Sequence, residues 1–453
     1  MDKNTEENKN TEENKKEEDS DSPSGSDEEG ENKLENKEEE HEKEHLRLSF
    51  SERIKRFFAP KKHEEKNDIL AQDENRTIEE IITAKEFNVQ KHFVTTEDGY
   101  ILAVFRIPGP KYCRNPEKCP PVLFQHGVFD SADGWVMNGE EKSIPFVLAN
   151  KGFDVWLSNS RGNKYSKAHE KYDVNSYEFW QFSFHDMGIY DEPAVIKYIR
   201  TKNISGEKII YFGHSQGTTL MFSGLTQKFD FYKENLKCFV ALAPVVRLTN
   251  VGSNLIYFFT KVSLDKTFKR LKILEMAPSC EANAKIYGKL GKSAERITNL
   301  LLNLVSDTGT KEYNDQNALN VYFRHFPSGS SLKCLIHYAQ IINAKKFVYY
   351  DYRRHANCGI YRQIKPPEYD LSVIKDFPIM LLCGEEDKLG DPKDVEWLRE
   401  QLGNNVIYFK VIPQMGHCSF LCGKDFSWFD EPLKMILNND FAIKPNIPEQ
   451  KIE

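Results

Sequence analysis

The sequence predicts an α/β fold: a mostly parallel central sheet flanked by helices, interrupted by an inserted and mainly helical cap, behind a disordered N-terminal tail. Three observations predict it. Short apolar segments recur along the chain with helical segments between them, the pattern of parallel strands covered on both faces. That rhythm stops between Val245 and about Asp370, where helical signals dominate. Residues 1–45 offer almost nothing to bury. The chain therefore divides into an acidic tail (1–45), a basic amphipathic helix (46–63), a first core segment (69–245), a helical cap or lid (246–370), a second core segment (371–440) and a C-terminal tail (441–453).

The elements follow in order. Residues 1–45 hold 19 acidic and seven basic side chains, and the stretch DSDSPSGSDEEGE sets serines before acidic residues, a context suited to acidophilic kinases. His45 to Lys62 reverses the charge. Leu46, Phe50, Ile54, Phe57 and Phe58 fall near helical spacing, with Arg47, Arg53, Lys55, Arg56 and Lys61 on the other side. Segment 45–62 is thus expected to lie on a membrane or lipid-droplet surface. Beyond it, ILAQDENRTIEEIITAKEF reads as one or two helices, and HFVTTEDGYILAVFRIP as a hairpin turning at Asp98-Gly99. The alternation then begins. PVLFQHG and FDVWLSN are strands around the helix SIPFVLANKG, and Ser176 to Lys202 reads as helical. KIIYFG and CFVALAP are strands around the helix QGTTLMFSGLTQKF. After the cap come the strand FPIMLLCG, the helix PKDVEWLREQL, the strand NVIYFKVIP and a last helix around FSWFDEPLKMIL.

Composition excludes several functions. Net charge is −7 over 453 residues, but the tail and the basic segment account for it, so the globular part is neutral and has no basic surplus for nucleic acid. The nine cysteines lack the paired short spacings of a zinc site, and HCSFLC (His417 to Cys422) faces no second cluster in sequence, so no metal is expected. No cofactor is called for either. No apolar leader or membrane-length apolar run is seen, which makes a cytoplasmic setting, held at a lipid or membrane surface, the expectation.

Chemistry concentrates at Gly213-His214-Ser215-Gln216-Gly217, a G-x-S-x-G placed between a strand and a helix. Glycines there admit a turn too tight for side chains, leaving Ser215 exposed at the carboxyl edge of the sheet and at a helix start. A serine hydroxyl needs a base, and the base an orienting acid, in the chain order Ser, acid, His. Among Glu385, Glu386, Asp387 and Asp391, the last precedes Pro392 and a helix, as an N-cap does, and Asp387 is favoured as the acid. His417, on the loop after the next strand, is the expected base; His325, His337 and His355 fall in the cap, where structural roles suffice. The oxyanion donors are expected to be the amides of Gln216 and Val128, with His126 bracing the loop that carries Val128.

These residues resemble the acid lipases, the family of gastric and lysosomal acid lipases and sterol ester hydrolases. The likeness spans about residues 86–435 and rests on ordered motifs: TTEDGYIL, QHGVFDSADGW, GFDVWLSNSRGN, EFWQFSFHDMGIYDEPA, GHSQGTT, ALAPV, FPSGSS, PPEYDLS and GEEDKLGDPKDV. It implies an α/β-hydrolase core with a helical cap, acting on neutral lipid esters, with Ser215, Asp387 and His417 as nucleophile, acid and base. The chain departs from the family after the base, where Cys418-Ser419-Phe420 stands in place of the usual Leu-Asp-Phe. The expected function is a triacylglycerol lipase or sterol esterase working through an acyl-enzyme. Acyl transfer to an alcohol by the same triad, and a catalytically idle lipid-surface protein, are the alternatives. For the substrate pocket the cap supplies Leu255, Ile256, Tyr257, Phe258, Phe259 and Phe268.

Overall fold

The computed structural model describes residues 72–111, 113–252, 274–277, 279 and 312–443. In chain order its strands are β1 (Gln90–Thr95), β2 (Tyr100–Ile107), β3 (Pro121–Gln125), β4 (Asp154–Leu157), β5 (Ala168–His169), β6 (Ile209–His214), β7 (Leu236–Leu242), β8 (Glu275–Met276), β9 (Ser330–Ser331), β10 (Ile379–Gly384) and β11 (Val406–Ile412). The main sheet runs β1-β2-β4-β3-β6-β7-β10-β11, with β5 beside β2; β8 and β9 form a separate antiparallel pair. β2 is antiparallel to both its neighbours, β1 and β4, and every pairing from β4 to β11 is parallel. The longer helices are α1 (Ile78–Ala84), α2 (Ile144–Asn150), α3 (Glu192–Lys202), α4 (Gln216–Leu225), α5 (Phe229–Asn235), α6 (Gln316–His325), α7 (Leu332–Ala344), α8 (Arg354–Tyr361), α9 (Pro392–Leu402) and α10 (Asp430–Leu437).

Burial of both faces explains why the central strands are mostly apolar. Val122 and Phe124 of β3, Ile210 and Phe212 of β6, and Met380 and Leu382 of β10 enter one core with α1, α2 and α10. Their neighbours Leu123, Tyr211 and Leu381 enter the other, with α3, α4 and α9. A strand buried on both faces favours apolar side chains whichever way they alternate, and a polar one such as Gln125 is hydrogen-bonded, here to Ser160. Phe124 and Phe212 stack across β3 and β6 with centroids 4.7 Å apart. The hairpin turns at Gly99, whose φ of +98° suits a residue without Cβ.

Helix boundaries follow local chemistry. Thr77 and Glu80 form a reciprocal capping box at the start of α1. Asp391 caps α9 by accepting from the Lys393 N–H, with Pro392 at the first helical position.

One expected helix is shorter than its sequence pattern. Ser176 to Lys202 is continuously helical only from Phe184, through a π turn at Met187–Asp191 into α3. Before that, only a 3-10 turn at Glu178–Trp180 forms. Phe179, Trp180, Phe182 and Phe184 are all buried. On a straight helix those four would point in widely different directions, so irregular backbone is what lets each reach the core.

Within 246–370 the described residues comprise α6, α7, α8 and the β8–β9 pair. α6 sends Ala318, Leu319 and Val321 into the first core, and α7 sends Cys334 and Ile341 into the second. The cap residues Leu255, Ile256, Tyr257, Phe258, Phe259 and Phe268 lie outside the described residues, as do the acidic tail, the segment 45–62 and residues 444–453. Among the described residues no helix is long and apolar enough to cross a membrane.

Candidate active site

Ser215 stands between β6 and α4 with φ +53° and ψ −117°, a backbone state that an L-residue holds only when its surroundings force it. The forcing contacts are visible. Its N–H donates to the Leu242 carbonyl at 3.1 Å, and its carbonyl accepts from the Thr218 hydroxyl at 2.6 Å. That hydroxyl oxygen in turn accepts from the Val245 N–H at 2.9 Å. Gly217 packs so closely under β3 that a Cβ there would sit 2.3 Å from the Gln125 carbonyl oxygen, and one at Gly213 would sit 2.7 Å from that of Gly217. The two glycines therefore permit the turn, and the hydrogen bonds hold it.

The carboxyl ends of three more parallel strands converge on this serine. His417, on the loop after β11, brings Nε2 to 2.7 Å from Ser215 Oγ, and its Nδ1 lies 2.8 Å from Asp387 Oδ2 on the loop after β10. Asp387 is fixed through its other oxygen, which accepts from the Leu389 and Gly390 amides at 2.8 Å each. A carboxylate only accepts, so Nδ1 of His417 carries the proton and Nε2 faces the serine as an acceptor. All three side chains are almost fully buried, with Ser215 the most exposed at 6%.

The loop after β3 supplies the fourth side. A Cβ at Gly127 would lie 3.1 Å from Ser215 Cβ, so glycine lets this loop approach Ser215 this closely without displacing it. Val128 follows it, and Gln216 opens α4. Among the described residues neither of these two backbone amides donates to another protein group. His126 holds the loop: its Nδ1 donates to the Gly127 carbonyl at 2.7 Å, while Nε2 accepts from the Ser160 N–H and from Asn163. Burial pushes its imidazole down to about 4, so it stays neutral and its bonds keep their direction.

Two contacts are invisible in the sequence. His214 Nε2 donates to the carbonyl of His417 at 2.9 Å and so pins the backbone of that residue; its Nδ1 is buried without a hydrogen-bond partner among the described residues. Burial, then the charge of His417, push His214 down to about 3. Cys334 of α7 donates to Gln216 Oε1 at 3.1 Å, tying α7 to the start of α4. The only sequence signal for His214 was its place inside the pentapeptide, which says nothing of where the ring points.

The competing candidates are placed elsewhere. Asp391 is the cap of α9, and Glu385 and Glu386 are exposed. His325 pairs with Asp133 at 2.8 Å, His337 bonds Ser183 and Val348, and His355 is exposed. Ser419, where the acid lipases usually carry an aspartate, accepts from the Gly416 N–H at 3.0 Å and thereby shapes the loop bearing His417. Among the described residues no cluster of three or more His, Cys, Asp or Glu is arranged to hold a metal ion.

Comparison with known proteins places the chain in a family. The profile of a partial alpha/beta-hydrolase lipase region matches residues 78–139, and that of the alpha/beta hydrolase fold matches residues 120–423. Lipase member K of Homo sapiens is 35% identical over 375 residues, covering 80% of this chain and 90% of that protein. Gastric triacylglycerol lipase of Homo sapiens is 36% identical over 361 residues, covering 77% and 87%. Lipase 1 of Drosophila melanogaster is 31% identical over 382 residues, covering 84% and 82%. With the fold, the ordered motifs and these relatives in agreement, the chain belongs to the acid lipase family of α/β-hydrolases and is a carboxylic ester hydrolase of lipid substrates.

Proposed function

We propose that the protein hydrolyses neutral lipid esters, triacylglycerols or sterol esters, through a Ser-His-Asp triad and an acyl-enzyme. The observation that carries this is the unbroken chain of contacts from Ser215 Oγ through both nitrogens of His417 to Asp387, at 2.7 and 2.8 Å. His417 takes the serine proton as Ser215 attacks the ester carbonyl. The resulting oxyanion is met by the Val128 and Gln216 amides, which are available because no protein acceptor among the described residues engages them. The imidazolium formed is stabilised by Asp387 and protonates the departing alcohol. Water then enters by the same route and releases the fatty acid.

The relatives named triacylglycerol lipase support the glycerol ester side of this reading. The neutral net charge of the chain outside its tail and basic segment fits an uncharged substrate. The basic segment 45–62 supports a lipid-surface location, on its sequence pattern alone. The test is hydrolysis of a medium-chain triacylglycerol and a cholesteryl ester by the wild type and by Ser215→Ala, with fluorophosphonate labelling of both. Turnover and labelling are expected only in the wild type. Equal turnover by the variant would overturn the mechanism.

A further inference from the structure

The loop between β2 and β3 holds a feature that ester hydrolysis does not use. Cys113 and Cys119 bring their Sγ atoms to 3.5 Å, and both residues are half-buried, within reach of a small solute. Each is anchored by its own turn. Cys113 N–H donates to the Pro110 carbonyl at 3.0 Å, and Cys119 N–H to the Pro116 carbonyl at 3.1 Å. The Cys119 carbonyl also accepts from the Asn203 amide at 2.8 Å. Gly109, at φ +75°, leaves the space the sulfurs fill: a Cβ there would lie 3.4 Å from each Sγ. By contrast Cys238, Cys334, Cys383 and Cys422 are buried, and Cys358 is exposed on α8.

We propose that Cys113 and Cys119 form a dithiol site that a low-molecular-weight disulfide oxidises to an intrachain disulfide, covalently closing the loop that leads into β3. The sulfurs are in van der Waals contact. A bond of about 2.05 Å asks only for small side-chain rotations between two fixed turns. The first attack falls to Cys113, because burial and the neighbouring Cys113 sulfur push the Cys119 thiol up to about 12. The Cys113 thiolate attacks one sulfur of oxidised glutathione, forming a mixed disulfide and expelling one glutathione thiolate. Cys119 then loses its proton to solvent, attacks the Cys113 sulfur and expels the second. Two protein thiols are oxidised while one external disulfide is reduced to two thiols. In the mixed disulfide Cys113 is no longer a thiol, and burial remains as the main influence raising Cys119, so the second step is faster at alkaline pH.

The experiment uses the full-length protein, reduced, freed of reductant and incubated with oxidised glutathione. It is then alkylated and digested with trypsin without reduction. Trypsin cuts after Lys111, Arg114 and Lys118, so Cys113 and Cys119 fall in separate peptides, 112–114 and 119–142. Expected are a linked pair of these peptides that separates on reduction, its loss in Cys113→Ser, and soluble-ester turnover by reduced Cys113→Ser equal to that of the wild type. Cys358 reports that the oxidant acted, by carrying a glutathione adduct. Peptides 112–114 and 119–142 running separately from wild type whose Cys358 is modified, or linked instead to other cysteines, would overturn the proposal. The wild type alone decides the point, whatever the variant's folding.

Discussion

Replacing Asp387 by Asn tests the site by changing one proton. Asp387 Oδ1 accepts two backbone N–H groups, from Leu389 and Gly390, while Oδ2 faces His417 Nδ1. An asparagine has one acceptor oxygen, and the two amides claim it, so its NH2 group must point at His417. Nδ1 then has to accept, and the ring proton moves to Nε2, the atom 2.7 Å from Ser215 Oγ. The base becomes a donor where an acceptor is required. Loss of the correct tautomer in a triad lowers kcat by about ten-thousand-fold, or about 5 kcal/mol of transition-state stabilisation. KM for a short, soluble ester should hold, because the substrate-facing surface is unchanged, and fluorophosphonate labelling of Ser215 should slow in parallel with kcat. The assay is steady-state hydrolysis of a p-nitrophenyl ester, with thermal melting to show that the fold persists. A loss of less than tenfold in a folded variant would refute the tautomer argument and with it the role given to Asp387.

Other outcomes follow from the same coordinates. Gly217→Ala drives a Cβ to 2.3 Å from the Gln125 carbonyl oxygen, and thermal melting should report a loss of about 3 kcal/mol or more. His214→Phe removes the donor to the His417 carbonyl and should lower both kcat and stability, the latter by about 1–3 kcal/mol, with partial rescue by His214→Gln. His337 is buried and neutral, its pKa pushed down to about 3 by burial, so its stabilising contribution is complete above the unfolded value near 6.5 and is lost as pH falls from there. The melting temperature of the wild type should therefore drop more steeply between pH 6.5 and pH 4 than that of His337→Gln, and parallel curves would contradict this. Deleting residues 1–64 should release the protein from anionic liposomes in a flotation assay and leave soluble-ester turnover unchanged.

What the sequence revealed, and what it hid, divides by distance along the chain. The central strands could be read because each is a largely apolar run, and Ser215 because its glycines and its place after β6 are local; the two-residue strands β5, β8 and β9 leave no such run and escape that reading. Asp387 and His417 could be singled out by chain order and by removing Asp391, whose proline-flanked position marks a helix cap. Local reading failed at Ser176 to Ser183, where three buried aromatics, Phe179, Trp180 and Phe182, outvote helix formation. It also missed the ring of His214 reaching the carbonyl of His417, 203 positions away, and the contact from Cys334 to Gln216 across 118. Neither bond leaves a periodicity or a spacing in the sequence, because each depends on two elements meeting only after the sheet has assembled.

β7 and β10 lie side by side in parallel register, with Phe239 opposite Ile379, although the long segment 243–378 separates them in the chain. Their ladder fixes where Ala243 and Asp387 emerge, while α6 and α7 of the intervening segment pack back into the two cores. The proposed proton relay is therefore carried by strands adjacent in space, and within the described part of the segment the positions open to change are those that neither enter a core nor, like Cys334, touch Gln216. A segment exchanged between relatives would have to bring matching α6 and α7 faces with it, or the two cores would lose part of their packing.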